Sequence, residues 1–391
     1  MIYVHIPFCR SFCTYCDFYS EIASKCRGCQ DEEKMLRYSE SLTEEIALRK
    51  DEIESVISAQ NVAKTLYIGG GTPSVLPLSV FRQALKALSD AGVRAPFEEF
   101  TVEVNPEDVV EKGHEYIEGL LDLGVNRISM GVQSFDGDIL KWMNRRHNAA
   151  TAVKAYDVLE SAGVENISID LIFGLPQLTS SLWDETLEKA LSISSKGNLP
   201  KHISSYQLSV EPGSALASLM QKGAWDEASD DVCAAQYARL CEALKKAGYH
   251  HYEISNFALP GYEAVHNSAY WRHVPYVGLG PGAHSFISGE QAVRKWNEPD
   301  LARYSDAMAS RDVSNVQGGE ILDEEQIAIE RIMLALRTSE GVSESYLSAN
   351  CPLSEVEGAL SCGNLVRTDG GRIRIPEERF FVSDSIISSI L

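Results

Sequence analysis

Short apolar runs alternate along this chain with longer amphipathic segments. The runs Ile2–Ile6, Lys64–Ile68, Glu99–Val104, Asn126–Met130, Asn166–Ile172 and Ser204–Val210 have the length and composition of strands. Between them, Ser39–Val56, Ser79–Asp90, Gly113–Leu123, Ala149–Ser161 and Ser181–Ser194 carry apolar residues at helical spacing, the last opening on a serine suited to capping. Six β–α units in succession predict an α/β fold with a parallel sheet, because parallel strands need a crossover between them. Six units fall short of the eight that close a full barrel, so the expectation is an open, curved partial (β/α)6 barrel.

The rhythm stops at Gly248. From there to about residue 290 Tyr, His, Gly and Pro crowd the chain, as in "YEISNFALPGYEAVHNSAYWRHVPYVGLGPGAHSF", which predicts loops with aromatic anchors. Further on, "LDEEQIAIERIMLALRT" reads as an amphipathic helix, "LVRTDGGRIRIPEERF" as two short strands around a Gly-Gly turn, and Ser385–Leu391 as a last helix. Two domains are expected: a barrel over residues 1–290 and a small winged-helix-like α+β domain over 295–391. Between Glu320 and Leu391 stand 13 acidic and six basic residues, a net of −7. A wing that reads nucleic acid is normally basic, so this tail is expected to pack or to dock a partner.

Charge sharpens the picture. The chain has 391 residues, 44% hydrophobic and 23% charged, with a formal net charge of −21. A surface this acidic repels phosphate backbones, so no nucleic-acid partner is expected. No apolar run reaches the roughly 18 residues of a membrane span. A strand beginning at Ile2 leaves no room for a signal or transit peptide, and nine cysteines without such a signal suggest a reducing compartment, the cytoplasm.

Three of those cysteines, Cys9, Cys13 and Cys16, sit in "IPFCRSFCTYCDFYS" just past the first strand. Soft thiolates select zinc or iron–sulfur clusters. Structural zinc wants four ligands, usually as two separated pairs. Three cysteines in one short loop suit a 4Fe–4S cube with one iron left open to another ligand. Cys26 and Cys29 form a separate C-x-x-C, open to reading as a second metal pair, a redox couple or a polar loop with incidental thiols. Cys233, Cys241, Cys351 and Cys362 lie in helical or tail contexts and are expected to serve as small apolar residues. Gly69, Gly70 and Gly71 in "YIGGGTP" end the second strand, where a backbone can approach a ligand closely. Glu103, Gln133 and Asp170 stand near the carboxyl ends of the next three strands, the rim that carries the site in barrels.

The cysteine spacing, the glycine run and the six β–α units resemble the radical S-adenosylmethionine (SAM) superfamily. "YVHIPFC", "GGGTP", "GVQSF", "DLIFGLP" and the tail narrow the resemblance, over essentially the whole chain, to the oxygen-independent coproporphyrinogen III oxidase-like branch. The resemblance implies that SAM chelates the open iron through its amino and carboxylate groups. It implies SAM contacts by Tyr3, Tyr15, Gly70, Gly71, Thr72, Glu103, Gln133, Arg145 and Asp170, with Cys9, Cys13 and Cys16 on the cluster.

Two departures separate this chain from the dehydrogenases of that branch. Phe18 stands where they carry a further cysteine, and the longer N-terminal segment they have before the first strand is missing here. This chain instead has "HNSAYW", which resembles the haem-chaperone members and implies haem contact by His266, Tyr270 and Trp271, the alternative being that the three pin the loop to the barrel; His251 and His284, nearby in sequence, are substitute candidates for the iron ligand. The functions that follow are a haem chaperone handing haem to an acceptor protein, or a SAM-dependent coproporphyrinogen III dehydrogenase. Another radical SAM reaction such as methyl transfer, and a structural zinc protein, complete the alternatives. Implied partners are haem or a porphyrin, the acceptor protein, an electron donor such as flavodoxin or ferredoxin if SAM is cleaved, and a transient contact with a membrane protein.

Overall fold

The computed structural model describes residues 1–23, 29–58, 63–289 and 291–391. Cys26 therefore lies outside the described residues, as does the side chain of Cys29. The chain opens with β1 (Ile2–Ile6), followed by two short segments that pair in parallel, β2 (Phe8–Cys9) and β3 (Glu21–Ile22). Then come β4 (Thr65–Gly70), β5 (Glu99–Val104), β6 (Arg127–Gln133), β7 (Ile167–Phe173), β8 (His202–Gln207), β9 (His250–Glu253), β10 (Asn256–Ala258) and β11 (Val277–Leu279). They form a nine-stranded sheet in the order β11-β1-β4-β5-β6-β7-β8-β10-β9. From β11 through β8 every pairing is parallel, and β10 and β9 finish the sheet antiparallel. β11 and β9 do not pair with each other, so the barrel is open, as the six β–α units predict.

Helices α1 (Cys29–Leu48), α2 (Lys50–Ile57), α3 (Leu78–Asp90), α4 (Pro106–Asp122), α5 (Gly137–Trp142), α6 (Ala149–Ser161), α7 (Ser180–Leu191) and α9 (Asp230–Lys246) surround the sheet, while α8 (Ala215–Gln221) and α10 (Val265–Trp271) each bring a residue to the interior cavity. The outward strand positions Leu66, Ile68, Phe100, Val102, Ile128, Met130, Ile167 and Ile169 are buried against the surrounding helices. The alternate positions are polar, which is unusual for parallel strands covered by helices. On β6, Arg127, Ser129, Gly131 and Gln133 all line an interior cavity, while Ile128, Met130 and Val132 join the apolar core.

The structure corrects several expected boundaries. The helix expected over Ser39–Val56 is two helices that break at Arg49. The helix expected from Gly113 starts at Pro106, a residue well suited to a first helical turn, and Gly113 interrupts it with φ 67°. The stretch from residue 248, expected as loop, holds β9, β10, α10, β11 and β12 (His284–Ile287). Its strands are three or four residues long, too short for a periodicity to mark them, and β10 and β11 pair with the distant β8 and β1. β12 joins β13 (Ala292–Asn297) and β14 (Gln317–Leu322) in an antiparallel sheet. α11 (Leu301–Ala309) lies between β13 and β14. The C-terminal part has α12 (Glu324–Leu336), opened by an Asp323/Gln326 capping box, then β15 (Val342–Ser343), α13 (Glu344–Asn350) and α14 (Leu353–Ser361). The expected hairpin is β16 (Val366–Arg367) with β17 (Arg372–Arg374), which also pairs with β15; α15 (Ser383–Ile390) ends the chain.

A buried ionic knot fastens the β11 edge to the rest. Arg49 donates to Glu45 Oε1 at 2.8 Å, to the Gly278 carbonyl at 2.6 Å and to Ser285 Oγ at 2.9 Å. Glu45 also accepts from Gly280 N, Tyr304 Oη and Asn297 Nδ2, each at 2.7 Å. Both side chains are buried, Glu45 completely. Arg49 is also bonded to Glu52 Oε1, so losing Glu45 leaves its charge paired but orphans the buried Gly280, Tyr304 and Asn297 donors, at about 1 kcal/mol or more each and about 3 kcal/mol in all. Glu45→Ala is therefore expected to lower unfolding stability in urea by about that amount. A loss no larger than that of an exposed pair, under about 1 kcal/mol, would contradict the role given to the knot.

Candidate functional site

The cysteine loop runs from Arg10 to Ser20 between the paired segments β2 and β3, and backbone contacts hold it at both ends. Glu21 N donates to Pro7 O and Ala23 N to Cys9 O, each at 2.7 Å. In its middle, Thr14 N donates to Met143 O at 3.1 Å and Thr14 Oγ1 to Trp142 O at 2.8 Å, while Leu216 N donates to Thr14 O at 2.9 Å. The loop is thereby clamped between β1 and the far side of the barrel mouth.

Cys9, Cys13 and Cys16 line a cavity of about 1030 Å³ that descends into the barrel. Of the residues expected around SAM, Tyr15, Gly70, Gly71, Thr72, Glu103, Gln133, Arg145 and Asp170 line the same cavity. Tyr3 does not. Its hydroxyl bonds His5 Nδ1 at 3.0 Å, and His5 Nε2 bonds the Tyr19 carbonyl at 2.8 Å, so Tyr3 reaches the cysteine loop through His5.

Local backbone features aim these groups. Gly70 has φ 105°, and a Cβ on Gly69 would lie 2.8 Å from the Glu103 carboxyl group, so the glycine run lets that carboxylate fold over β4. Gln133 holds φ 65°, a costly conformation for a non-glycine residue, where β6 shifts register against β7. Glu103 accepts from Tyr67 Oη at 2.7 Å and from Gly70 N at 3.1 Å. Burial pushes its pKa up to about 7, a rise that Asp170 adds to and the Tyr67 bond opposes. Asp170 is raised as well, mainly by burial, against hydrogen bonds from Ser204 and Ser129 and the charge of Arg127.

The thiols fit an iron–sulfur cluster. Among the described residues no three His, Cys, Asp or Glu side chains converge tightly enough for a single ion. Three thiols that share a cavity without meeting at a point suit a group whose irons are spread over a cube. Burial raises Cys9, and raises Cys16 to about 12, so ligation must expel protons from the loop. Arg145 Nη1 lies 3.5 Å from Cys13 Sγ and supplies countercharge; its Nη2 donates to Asn105 Oδ1 and Gly131 O at 2.7 and 2.6 Å.

The expected haem residues lie elsewhere. His266 is buried, its Nδ1 bonded to Thr65 Oγ1 at 2.8 Å and its Nε2 to Tyr270 Oη at 3.0 Å. As placed, neither nitrogen is available to iron, and Tyr270 packs edge-on to Tyr276. His251 is buried, stacked on Phe257 with centroids 4.1 Å apart. His284 is exposed on β12. Trp271 lines a second cleft, of about 610 Å³, with Arg331 and Tyr346 of the C-terminal part. The motif residue that reaches the main cavity is Asn267. Sequence reasoning also missed Tyr67, Arg127, Ser129, Ser204 and Tyr206, which line the cavity. The signal was present as polar residues at every second strand position.

An open parallel half-barrel with three cysteines after its first strand and a glycine-rich second-strand end defines a radical SAM protein. The radical SAM superfamily profile matches residues 3–190. The heme chaperone HemW of Lactococcus lactis is 33% identical over 395 residues, spanning 100% of this chain and 96% of that protein. HemW of Bacillus subtilis is 35% identical over 349 residues, 88% of this chain and 84% of its own. The solved structure of coproporphyrinogen III oxidase HemN from Escherichia coli, a radical SAM enzyme, superposes with TM-score 0.77 over 99% of this chain and 89% of its own, at 19% identity. The chain belongs to the HemW family within the radical SAM superfamily. That membership implies a 4Fe–4S cluster and SAM.

Glu103 makes the apo protein pH-sensitive. Its folded pKa of about 7 exceeds the ordinary 4.5, so the folded state holds a proton that the unfolded chain releases between those values. Its contribution to stability is full below about 4.5 and is lost as pH rises through about 7. Glu103→Gln is expected to flatten this part of the stability–pH curve, leaving the matching fall from buried Glu253, also raised to about 7. Denaturant midpoints across this range check it; an unchanged slope would contradict the burial assigned to Glu103.

Proposed function

We propose that this protein is a haem chaperone that carries a 4Fe–4S cluster on Cys9, Cys13 and Cys16, binds SAM and haem, and passes haem to an acceptor protein. The observation that carries this reading is the end-to-end likeness to proteins named heme chaperone. The likeness to HemN, at 19% identity, speaks for the fold alone. Phe12 and Phe18 at the cavity lining are 50% and 64% exposed and give the mouth an apolar surface suited to a macrocycle. Phe18 is also the position where the dehydrogenases carry a cysteine.

In this reading the cavity residues divide the SAM contacts among them. Glu103 and Asp170 accept from the amine and ribose, Arg145 and Gln133 face the carboxylate and ribose, and Tyr15, Gly70, Gly71 and Thr72 complete the cradle. Trp271 offers a haem contact at the second cleft, while His266 and Tyr270 hold α10 in place. Residues 1–290 act as the barrel unit and 295–391 as a winged-helix-like unit for partners; the β12–β13–β14 sheet links the two. Among the described residues no helix is long and apolar enough to cross a membrane. A cytoplasmic setting suits the free thiols. A flavodoxin- or ferredoxin-like donor and a membrane-bound acceptor are the further partners this reading admits.

Anaerobic incubation with SAM, reductant and either haem or coproporphyrinogen III tests it. The protein is expected to retain haem at about one per chain and to form no protoporphyrinogen, and Glu103→Gln is expected to weaken SAM binding about tenfold, the loss of one buried polar contact. Turnover of coproporphyrinogen without haem retention would replace the chaperone reading with the dehydrogenase.

A further inference from the structure

Arg127 opens β6 and is 1% exposed, yet it lines the same cavity as the three cysteines. Its Nε has no hydrogen-bond partner, and among the described residues no carboxylate comes within 4.0 Å of its guanidinium. The acids around it are committed elsewhere. Glu99 accepts from Val265 N at 2.7 Å and from His266 N at 3.1 Å, which docks α10 on the barrel. Glu103 is taken by Tyr67 and Gly70, and Asp170 accepts from Ser129 Oγ at 3.2 Å. These charges explain why a buried guanidinium is tolerated, but among the described residues they leave its Nε without an acceptor. Buried donors in folded proteins are nearly always paired. A planar fork of donors that faces a cavity matches a carboxylate, which it grips through two parallel bonds.

The family resemblance assigns the SAM carboxylate to the open iron, at the cysteine end, where Arg145 stands 3.5 Å from Cys13. The cavity, about 1030 Å³, lies at the upper end of the range for a single small ligand, roughly 300–1,000 Å³. Its lining runs from the cysteine loop to Arg127 and beyond the residues expected around SAM, to Tyr206 and Asn267. We propose that Arg127 is the docking point for a carboxylate arm of a second ligand in the barrel, and that this arm is a haem propionate; the second half rests on the haem-chaperone reading above. Asn267 lines the same cavity, so the HNSAYW helix contributes through that side chain while His266 anchors the helix.

The test uses the full chain, reconstituted with its cluster and loaded with SAM. Sodium propionate is the probe, thermal unfolding the readout, and sodium chloride at matched ionic strength the control. Propionate is expected to raise the unfolding midpoint beyond chloride in the unaltered protein and not in Arg127→Gln. Arg127→Lys keeps the charge but not the fork, and is expected to need about tenfold more propionate. Its retained cluster absorbance certifies folding, so it carries the test if Arg127→Gln does not fold. In a second arm, haem and haem dimethyl ester are titrated by absorbance. The unaltered protein is expected to prefer haem by about tenfold, a preference that Arg127→Lys loses. No propionate-specific shift, or the same shift in all variants, overturns the carboxylate site. A propionate shift with equal affinity for haem and its ester overturns haem as the owner of the carboxylate. If the unaltered protein takes up no haem at all, the functional reading falls, and the propionate arm still decides the site.

Discussion

A half-barrel of parallel strands that turns polar side chains inward must satisfy every one of them, and the rest of this structure follows from that demand. Leu66, Phe100, Ile128 and Ile169 face the helices and supply the apolar core. Tyr67, Glu103, Ser129 and Asp170 face the lumen, where a lone polar group costs far more than it does at a surface. The bonds from Tyr67 and Gly70 to Glu103, and from Ser129 to Asp170, answer that cost with protein partners. At Arg127, whose Nε has no partner among the described residues, the proposed carboxylate would meet that demand.

The same demand organises the ends of the barrel. At the floor, α10 is docked by Glu99 and by the His266–Thr65 bond, and both ring nitrogens of His266 have protein partners. At the mouth, the cysteine loop is tied to β1, to the end of α5 and to α8. At the β11 edge, the Glu45–Arg49 knot reaches Gly278 and Gly280, so the strand beside β1 is held by charge as well as by its ladder. A rigid loop over a polar lumen is what a cluster-bound cosubstrate requires: fixed thiols above and hydrogen-bonding groups below.

The sequence reveals every parallel strand of the nine-stranded sheet but β11 because their alternation is local and strict; β1 and β5 fall on their expected bounds. The cysteine loop and the rim residues are legible for the same reason, being tied to strand ends. Long-range pairing hides the rest. β10 and β11 are three residues each and are held by the distant strands β8 and β1, and β9 joins the sheet only by pairing with β10. The break at Arg49 arises because its side chain is committed to β11, more than two hundred residues away. His266 and Tyr3 carry suitable chemistry, but burial and existing bonds, which no motif displays, decide what they do. Arg127 was visible as one more polar alternate position, and only its unpaired state in the fold gives it meaning.

The central claim is that Cys9, Cys13 and Cys16 hold a cluster whose open iron takes SAM inside this lumen. Electron paramagnetic resonance of the dithionite-reduced, reconstituted protein tests it most directly. Addition of SAM is predicted to shift the g-values of the cluster signal in the unaltered chain and to require much more SAM in Glu103→Gln. A cluster signal that SAM leaves unchanged, or one that survives replacement of any of the three cysteines by alanine, would contradict the account.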